Sequence, residues 1–469
     1  MAPELRPGSF YLICAIRSVV IVVLCLTAAV SAAASESKPD LAVYDNRRVW
    51  VQDLAALYAE LKTKHPGLYR THTPAEWNSA YWSARAKVPG MNWPHFVVAV
   101  HRFVALAADG HTNVYSTSRV GPGFDSRYPV RFGLFYDGLY LISAAGDARD
   151  ALGGRIVAID GQSWEKVAQK MAALTGRDNP MWAINWVPAL LTFPGDYDGL
   201  DIAPSGAPLD IEAAMPDGKT VNVSVRSASV ETQPERESFF DHSHNGHQPP
   251  RWWTQEEPPL TFEYRKNERT VYAIFAAVED DKNKKLSALA RELFDFVNAN
   301  KAQKLIIDVR NNGGGDNTLL APLIDGARQS SLNHPGGLYV LIGRQTFSAG
   351  QNFVNRMEKD TDAMFVGEPT GESPNQYGDP EIFSLPHTRL PVLISTRRWE
   401  DSVPEDHRKW TAPDIPARYT FRDYIDGTDP AIEAALHFDA SKIAHKPDRS
   451  AHWDRPSQHA AWAPPLPVE

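Results

Sequence analysis

The chain has 469 residues, of which 43% are hydrophobic and 22% are charged, so it is long enough for two or three domains with ample core. Its formal net charge of −9 argues against nucleic acid as a partner. Both cysteines, Cys14 and Cys25, lie near the start of the chain, which excludes a cysteine nucleophile or a thiolate metal site from the remainder.

The first 35 residues have the pattern of a signal peptide. Arg6 and Arg17 precede a short apolar run, and small residues follow between Ala28 and Ser35. The apolar run is too short for a comfortable membrane span, although an uncleaved anchor is the alternative. We therefore expect residues 1–35 to be removed, with no stable membrane insertion afterwards and a periplasmic or secreted mature protein.

Residues 40–112 have the pattern of a small helical domain. Helical spacing places five apolar residues on one face of a first helix, namely Trp50, Leu54, Leu57, Tyr58 and Leu61. Thr73 and Glu76 form a capping box that begins a second helix. A third, apolar helix ends at Ala107-Ala-Asp-Gly-His111-Thr112, where a histidine can cap the last carbonyl groups.

Residues 113–228 have the sequence pattern of a β-rich domain. Short alternating runs predict strands at 128–135, 138–142 and 154–161, and two more strands flank a Pro-Asp-Gly turn at Pro216. Trp164–Leu174 is an amphipathic helix. The segment Gly153–Gly161 resembles the strand and turn of a PDZ domain, and the alternative is a β-rich spacer that shapes a cleft.

Two segments have the composition of loops. Residues 229–265 form a polar linker whose Asp241-His-Ser-His-Asn-Gly-His247 run could hold a metal, but the flanking proline pairs favour a mobile surface loop. The tail at 441–469 is rich in proline, histidine and tryptophan, and we expect it to be disordered.

Residues 266–440 contain three strand–turn–helix units. Apolar, β-branched runs at Lys304–Arg310, Leu338–Ile342 and Ala363–Val366 each enter a turn marked by glycine, and helical segments follow the first two turns. Repetition of this unit predicts a mostly parallel α/β sheet. In such sheets the functional groups lie at the carboxyl ends of the strands.

These turns suggest acyl-transfer chemistry. A glycine triplet, Gly313–Gly315, exposes backbone N–H groups that can stabilise a developing oxyanion. Ser348 lies at a strand-to-helix turn beside Ala349 and Gly350, which leaves its hydroxyl open. The simpler interpretations are a tight turn or phosphate-binding nest for the glycines and a helix N-cap for Ser348. Neither turn has the spacing of a Walker or dinucleotide-binding motif.

Three motifs, in their order and spacing, resemble the tail-specific or C-terminal-processing serine proteases, including the tricorn-like and retinoid-binding-protein branches. The motifs are Asp308-Val-Arg-Asn-Asn-Gly-Gly-Gly315, Thr346-Phe-Ser-Ala-Gly-Gln351 and Val366-Gly-Glu-Pro-Thr-Gly371. The resemblance implies a crotonase/Clp-protease-like catalytic core after a helical and a PDZ-like domain. It also implies Ser348 as nucleophile, no metal and no organic cofactor. The oxyanion hole is expected from the N–H of Ala349 and one amide of the Gly313–Gly315 turn, of which we choose Gly314 with its two neighbours as alternatives.

One position departs from the family pattern. The processing-protease branch has a lysine base 25 residues after the serine, and Ser373 stands there in this chain. The Asp-Gly-His-Thr sequence instead resembles the tricorn-like branch, which implies His111 as the base. For the carboxylate that orients the histidine we expect Glu405, with Asp406 and Glu368 as alternatives.

The sequence therefore predicts an exported serine peptidase that hydrolyses peptide or protein substrates through Ser348 and His111. Two alternatives use the same scaffold. A catalytically inactive binding protein would retain the fold without turnover, and an esterase or amidase would apply the same residues to a small molecule.

Overall fold

A computed structural model describes residues 41–114, 121–243, 247–254, 258–439 and 449. The predicted signal peptide and both cysteines lie outside the described residues, as do nearly all of the predicted tail and part of the histidine-rich loop. Among the described residues, no helix is both long and apolar enough to cross a membrane.

Three helices form the N-terminal unit: α1 (Arg47–Lys64), α2 (Pro74–Lys87) and α3 (Trp93–Ala105). Short 3-10 helices at Leu41–Asp45 and Val88–Gly90 flank them. The Thr73 capping box begins α2 as predicted, with Thr73 and Glu76 each accepting a backbone N–H from the other. Trp50 and Trp77 are completely buried, so the helices pack around aromatic side chains.

The β-rich unit has one antiparallel sheet with helices packed against it. Its strands are β3 (Val130–Phe135), β4 (Gly138–Ala144), β5 (Arg155–Ile159), β6 (Gln162–Ser163), β7 (Leu209–Ala214), β8 (Thr220–Val225) and β10 (Glu237–Ser238). The order is β10-β4-β5-β7-β8, with β3 beside β4 and β6 beside β5. Its helices are α4 (Trp164–Ala172), α5 (Pro180–Leu190), α6 (Pro194–Gly199) and the 3-10 helix Gly146–Ala151. A separate pair joins β2 (Ser126–Arg127) to β9 (Ala228–Ser229).

The segment predicted to be a polar linker contains ordered structure among its described residues. It includes the 3-10 helix Val230–Thr232, α7 (Phe239–Ser243) and α8 (Arg251–Thr254). Phe240 and Trp253 pack with Tyr424 in an aromatic cluster that bridges the β-rich unit and the C-terminal helices. The aromatic residues thus anchor a stretch whose prolines and histidines had indicated a loop.

The central sheet has six strands in the order β11-β12-β13-β14-β15-β18. They are β11 (Leu260–Arg265), β12 (Thr270–Phe275), β13 (Lys304–Asp308), β14 (Leu338–Ile342), β15 (Met364–Gly367) and β18 (Ile415–Pro416). All neighbours are parallel except β11 and β12. The intervening and following helices are α9 (Leu286–Ala299), the 3-10 helix Asn317–Leu319, α10 (Ala321–Gln329), α11 (Ala349–Asp360), α12 (Phe421–Asp426) and α13 (Pro430–His437).

A buried arginine fastens α13 to the sheet. Arg310, just after β13, donates to Asp308 Oδ2 over 2.6 Å and to Asp429 Oδ2 over 2.7 Å. Asp429 is also the N-cap of α13. Removing one partner of such a pair leaves a buried charge and costs about 3–5 kcal/mol. The Asp-x-Arg part of the first motif is therefore structural.

A long hairpin joins the central sheet to the N-terminal helices. β16 (Asn375–Ser384) and β17 (Pro391–Glu400) are antiparallel, and β17 also pairs with β1 (Asn113–Val114). Buried Asp53 on α1 accepts from the backbone N–H and the hydroxyl of Thr388 at the tip of this hairpin. Because β1 begins two residues after His111, its pairing with β17 carries that histidine to the central sheet.

Candidate active site

The candidate site lies where the carboxyl ends of β13, β14 and β15 meet, the position expected for function in a parallel sheet. Ser348 follows β14 and directly precedes α11. Gly314 follows β13, and Glu372 follows β15. His111 lies in the loop between α3 and β1, so residues from distant parts of the chain share one site.

Ser348 has a strained backbone. Its φ is 54° and its ψ is −127°, a conformation that non-glycine residues rarely adopt and that costs of order 1–3 kcal/mol. A serine in a sharp, strained strand-to-helix turn is the arrangement of a nucleophile elbow, which holds the hydroxyl clear of the sheet.

The neighbouring motif residues enforce this turn. Thr346 Oγ1 accepts from Gly343 N over 3.0 Å and donates to Val309 O over 2.8 Å. A Cβ at Gly350 would lie 2.5 Å from Asn312 O, so only glycine permits this approach of two turns. Thr346 and Gly350 therefore hold the turn that carries Ser348 against the neighbouring turn after β13.

His111 and Ser348 are in hydrogen-bonding contact. His111 Nε2 lies 3.0 Å from Ser348 Oγ, within the range for proton transfer between a nucleophile and its base. The His111 side chain is only 5% exposed, and its ring stacks on Phe347 with centroids 4.4 Å apart. A Cβ at Gly110 would lie 2.7 Å from Phe347, so the glycine of the Asp-Gly-His-Thr sequence makes this stacking possible.

The carboxylate beside His111 belongs to Glu372. Its Oε1 lies 2.9 Å from His111 Nδ1, and Glu372 is completely buried. His111 Nδ1 nevertheless makes no hydrogen bond to a described residue in this geometry, and hydrogen bonds of catalytic sites often form fully only when substrate binds. The other oxygen of Glu372 accepts the backbone N–H of Ser348, so one carboxylate contacts both candidate catalytic residues.

The carboxylates expected from the sequence lie elsewhere. Glu405 is exposed on the surface, and Asp406 forms an ion pair with Arg408 over 2.7 Å. Glu368 pairs with Arg344, also over 2.7 Å. The place assigned to Glu405 is therefore occupied by Glu372. The sequence signal for Glu372 is its position directly after the Gly-Glu-Pro-Thr-Gly371 turn, one residue before Ser373, which stands at the position of the family's lysine.

The charges around His111 alter its pKa. Burial acts to lower the pKa, but the negative charge of Glu372, assisted by Asp109 and Asp178, outweighs burial and raises the pKa to about 9. The pKa of Glu372 is also raised, because burial exceeds the stabilisation by His111. Three carboxyl groups raise the pKa of His111, so its protonated form is favoured beside them.

A second buried histidine supports the loop that carries His111. Asp109 accepts from His111 N over 2.9 Å and from Ser395 Oγ over 2.5 Å. His65 Nε2 lies 3.1 Å from the same carboxylate, and His65 Nδ1 accepts from Gly67 N. That second bond places the proton of neutral His65 on Nε2, facing Asp109. Burial acts to raise the pKa of Asp109, but His65, His111 and Ser395 lower it to about 2.

The glycine turn packs directly on the serine. A Cβ at Gly314, whose φ is 109°, would lie 2.5 Å from Ser348 Cβ and 2.9 Å from Ala349 N. The Gly314 N–H donates to Asn312 Oδ1 over 2.9 Å, so the predicted oxyanion donor is already engaged. The adjacent Gly313 N–H makes no hydrogen bond to any described residue. Ala349 begins α11, where N–H groups lack helical partners.

Comparison with known protein structures identifies the fold of this chain. No family model and no curated protein matches the chain. The crystal structure of mature CPAF matches with a TM-score of 0.58 and 14% identity, over 85% of this chain and 99% of that chain. This chain has the fold of CPAF. Mature CPAF complexed with lactacystin matches similarly, with a TM-score of 0.57 and 13% identity over 84% and 99% of the two chains. The α/β fold class predicted from the sequence is confirmed.

A further match is to the photosystem II D1 C-terminal processing protease, with a TM-score of 0.36 and 14% identity over 81% of this chain and 98% of that chain. That score is too low to establish a common fold. No group of three or more candidate metal ligands occurs within the described part of the chain.

Proposed function

We propose that the protein is an exported serine peptidase whose nucleophile is Ser348 and whose base is His111. The observation that carries the proposal is the 3.0 Å contact between His111 Nε2 and Ser348 Oγ, formed by two residues 237 positions apart. A strained backbone at Ser348 and a buried carboxylate behind His111 add the other parts of a serine–histidine–carboxylate site.

The reaction proceeds in two stages. Ser348 Oγ attacks the scissile carbonyl carbon while its proton passes to His111 Nε2, and the amides of Ala349 and Gly313 stabilise the oxyanion. His111 then gives the proton to the leaving amine as the C–N bond breaks. A water molecule attacks the acyl-enzyme, again losing a proton to His111, and the carboxylic acid leaves as Ser348 regains its proton.

Glu372 has two tasks in this scheme. It holds the imidazole with Nδ1 protonated and stabilises the imidazolium that forms during attack. Its second oxygen binds the Ser348 N–H, which fixes the carboxylate relative to the nucleophile. Gly314 acts by close packing, because any side chain there would collide with Ser348.

Labelling of the mature protein with a fluorophosphonate probe tests the proposal without knowledge of the substrate. We expect the wild type to be labelled and both Ser348→Ala and His111→Ala to lose labelling while keeping the wild-type melting temperature within a few degrees. His95→Ala, at a half-buried histidine on α3, is a matched control that should be labelled normally. A wild type that resists labelling would favour a binding protein on this scaffold.

A further inference from the structure

The loop between α4 and α5, from Gly176 to Trp182, brings the β-rich unit against the segment that carries His111. Gly176 N donates to Asn113 Oδ1 over 3.3 Å, and Asn113 Nδ2 donates back to Gly176 O over 3.4 Å. A Cβ at Gly176 would collide with Thr112 O, so the two backbone segments touch with no side chain between them. The backbone that follows His111 is thus fixed by the β-rich unit.

Asp178 joins the same loop to the residue before His111. Its Oδ2 accepts the backbone N–H of Gly110 over 3.0 Å. The next N–H along the chain, that of His111, is accepted by Asp109 over 2.9 Å. Glycine has unusual conformational freedom, so Gly110 needs such outside contacts to hold one backbone conformation. Two carboxylates on consecutive amides therefore set the direction in which the His111 ring leaves the chain.

Asp178 is itself held in a fixed position. The next residue, Asn179, is the N-cap of α5, and its side chain also donates to Lys409 O over 2.7 Å. Trp182, in the first turn of α5, stacks on Phe347 with centroids 3.8 Å apart. Phe347 directly precedes the candidate nucleophile. The carboxyl group of Asp178 is therefore anchored relative to the turn that carries the serine as well as to the histidine loop.

A carboxyl group is an unfavourable choice at this position if its task is only to accept one N–H. Asp178 is half-buried and forms no ion pair within the part of the chain that the structure describes. Desolvation and the negative charges of Asp109 and Glu372 raise its pKa, and they outweigh the opposite effects of the Gly110 N–H and Arg70. An asparagine would accept the same N–H without this cost. The residue type therefore indicates that the carboxyl group itself serves the site.

We propose that Asp178 is a positioning residue for the base, which holds His111 toward Ser348 through the Gly110 N–H. The inference rests on the proposed peptidase function and adds a residue of the β-rich unit to the site. The negative charge of Asp178, with those of Glu372 and Asp109, also raises the pKa of His111. The protonated imidazole is the form that arises as Ser348 attacks, so both the hydrogen bond and the charge favour proton transfer.

Two substitutions separate the hydrogen bond from the charge. Asp178→Asn keeps an oxygen that can accept the Gly110 N–H, whereas Asp178→Ala removes the oxygen and the charge together. We expect the maximum rate of fluorophosphonate labelling at high pH to stay within about threefold of wild type in Asp178→Asn and to fall about 10–100-fold in Asp178→Ala, since a displacement of about 1 Å can cost that much. Asp147→Asn, at an exposed aspartate of the same unit, is the matched control and should be labelled normally.

The pKa of His111 is a readout that a merely structural role of Asp178 would not change. It is measured by NMR titration of carbon-13-labelled histidine in the Ser348→Ala background, with the His111 resonance identified by its loss in His111→Ala. Loss of a nearby negative charge disfavours the imidazolium, so Asp178→Asn should lower the pKa of His111 by about half a pH unit or more. Asp147→Asn should leave that pKa unchanged, since Glu372 and Asp109 remain in place in both variants.

The proposal is overturned if Asp178→Ala is labelled at the wild-type rate, or if Asp178→Asn leaves the pKa of His111 unchanged. If Asp178→Ala does not fold, Asp178→Glu takes its place, because its carboxylate is displaced by one bond from the Gly110 N–H. A wild type that resists labelling would contradict the peptidase function instead. In that case the NMR titration still decides whether Asp178 acts on His111, because it requires no turnover.

Discussion

Replacement of Glu372 by glutamine tests the charge arrangement of the site most directly. The substitution keeps the size of the side chain and an oxygen that can accept the Ser348 N–H, but it removes the negative charge beside His111. With that charge present the pKa of His111 is raised from 6.5 to about 9. The difference corresponds to roughly 3 kcal/mol of stabilisation of the imidazolium.

The sign of the expected pH effect follows from the role of His111 as a base. Only the neutral imidazole accepts the proton of Ser348, so reactivity of the free wild-type enzyme should rise with pH until about pH 9. In Glu372→Gln the rising limb should move down toward pH 6.5. The plateau should fall by up to about 10⁴-fold, because an amide no longer stabilises the imidazolium or fixes its tautomer.

The assay is the second-order rate of fluorophosphonate labelling between pH 5 and pH 10, which needs no substrate. Glu405→Gln is the matched control. Glu405 is exposed, so its substitution should change neither the pH at which the labelling rate rises nor the maximum rate at high pH. The assignment of Glu372 is refuted if Glu372→Gln keeps the wild-type pH dependence of the labelling rate. It is equally refuted if Glu405→Gln is the variant that shifts this pH dependence.

Three further outcomes are expected. Ser348→Gly should be more stable than Ser348→Ala by about 1–2 kcal/mol in chemical denaturation, because only glycine relieves the positive φ; equal stability would show that the turn is unstrained. Gly314→Ala should lose nearly all labelling, since its Cβ would lie 2.5 Å from Ser348 Cβ, and normal labelling would contradict the packing. Asp429→Asn should destabilise the protein by about 3–5 kcal/mol while Asp426→Asn, an exposed-pair control on α12, changes stability by less than about 1 kcal/mol.

Local patterns predicted those parts of the fold that depend on nearby residues. β14 has the predicted bounds Leu338–Ile342, and the capping box of α2 is formed as expected. In both cases the determining interactions lie within a few positions in the chain: a short apolar run between glycine-marked turns, and a Thr–Glu pair three residues apart. The ordered structure within residues 229–265 could not be predicted from local patterns. It depends on contacts of Trp253 with Phe135 and Tyr424, which lie more than 100 residues away in the chain.

The sequence by itself pointed to Ser348 and His111 as the candidate reactive groups, because each lies in a short motif whose residues are close together in the chain. Only the tertiary structure decided the carboxylate. Glu372 and Glu405 are both glutamates near a turn, and the one that reaches His111 depends on how the chain leaves β15 and on the pairing of β1 with β17.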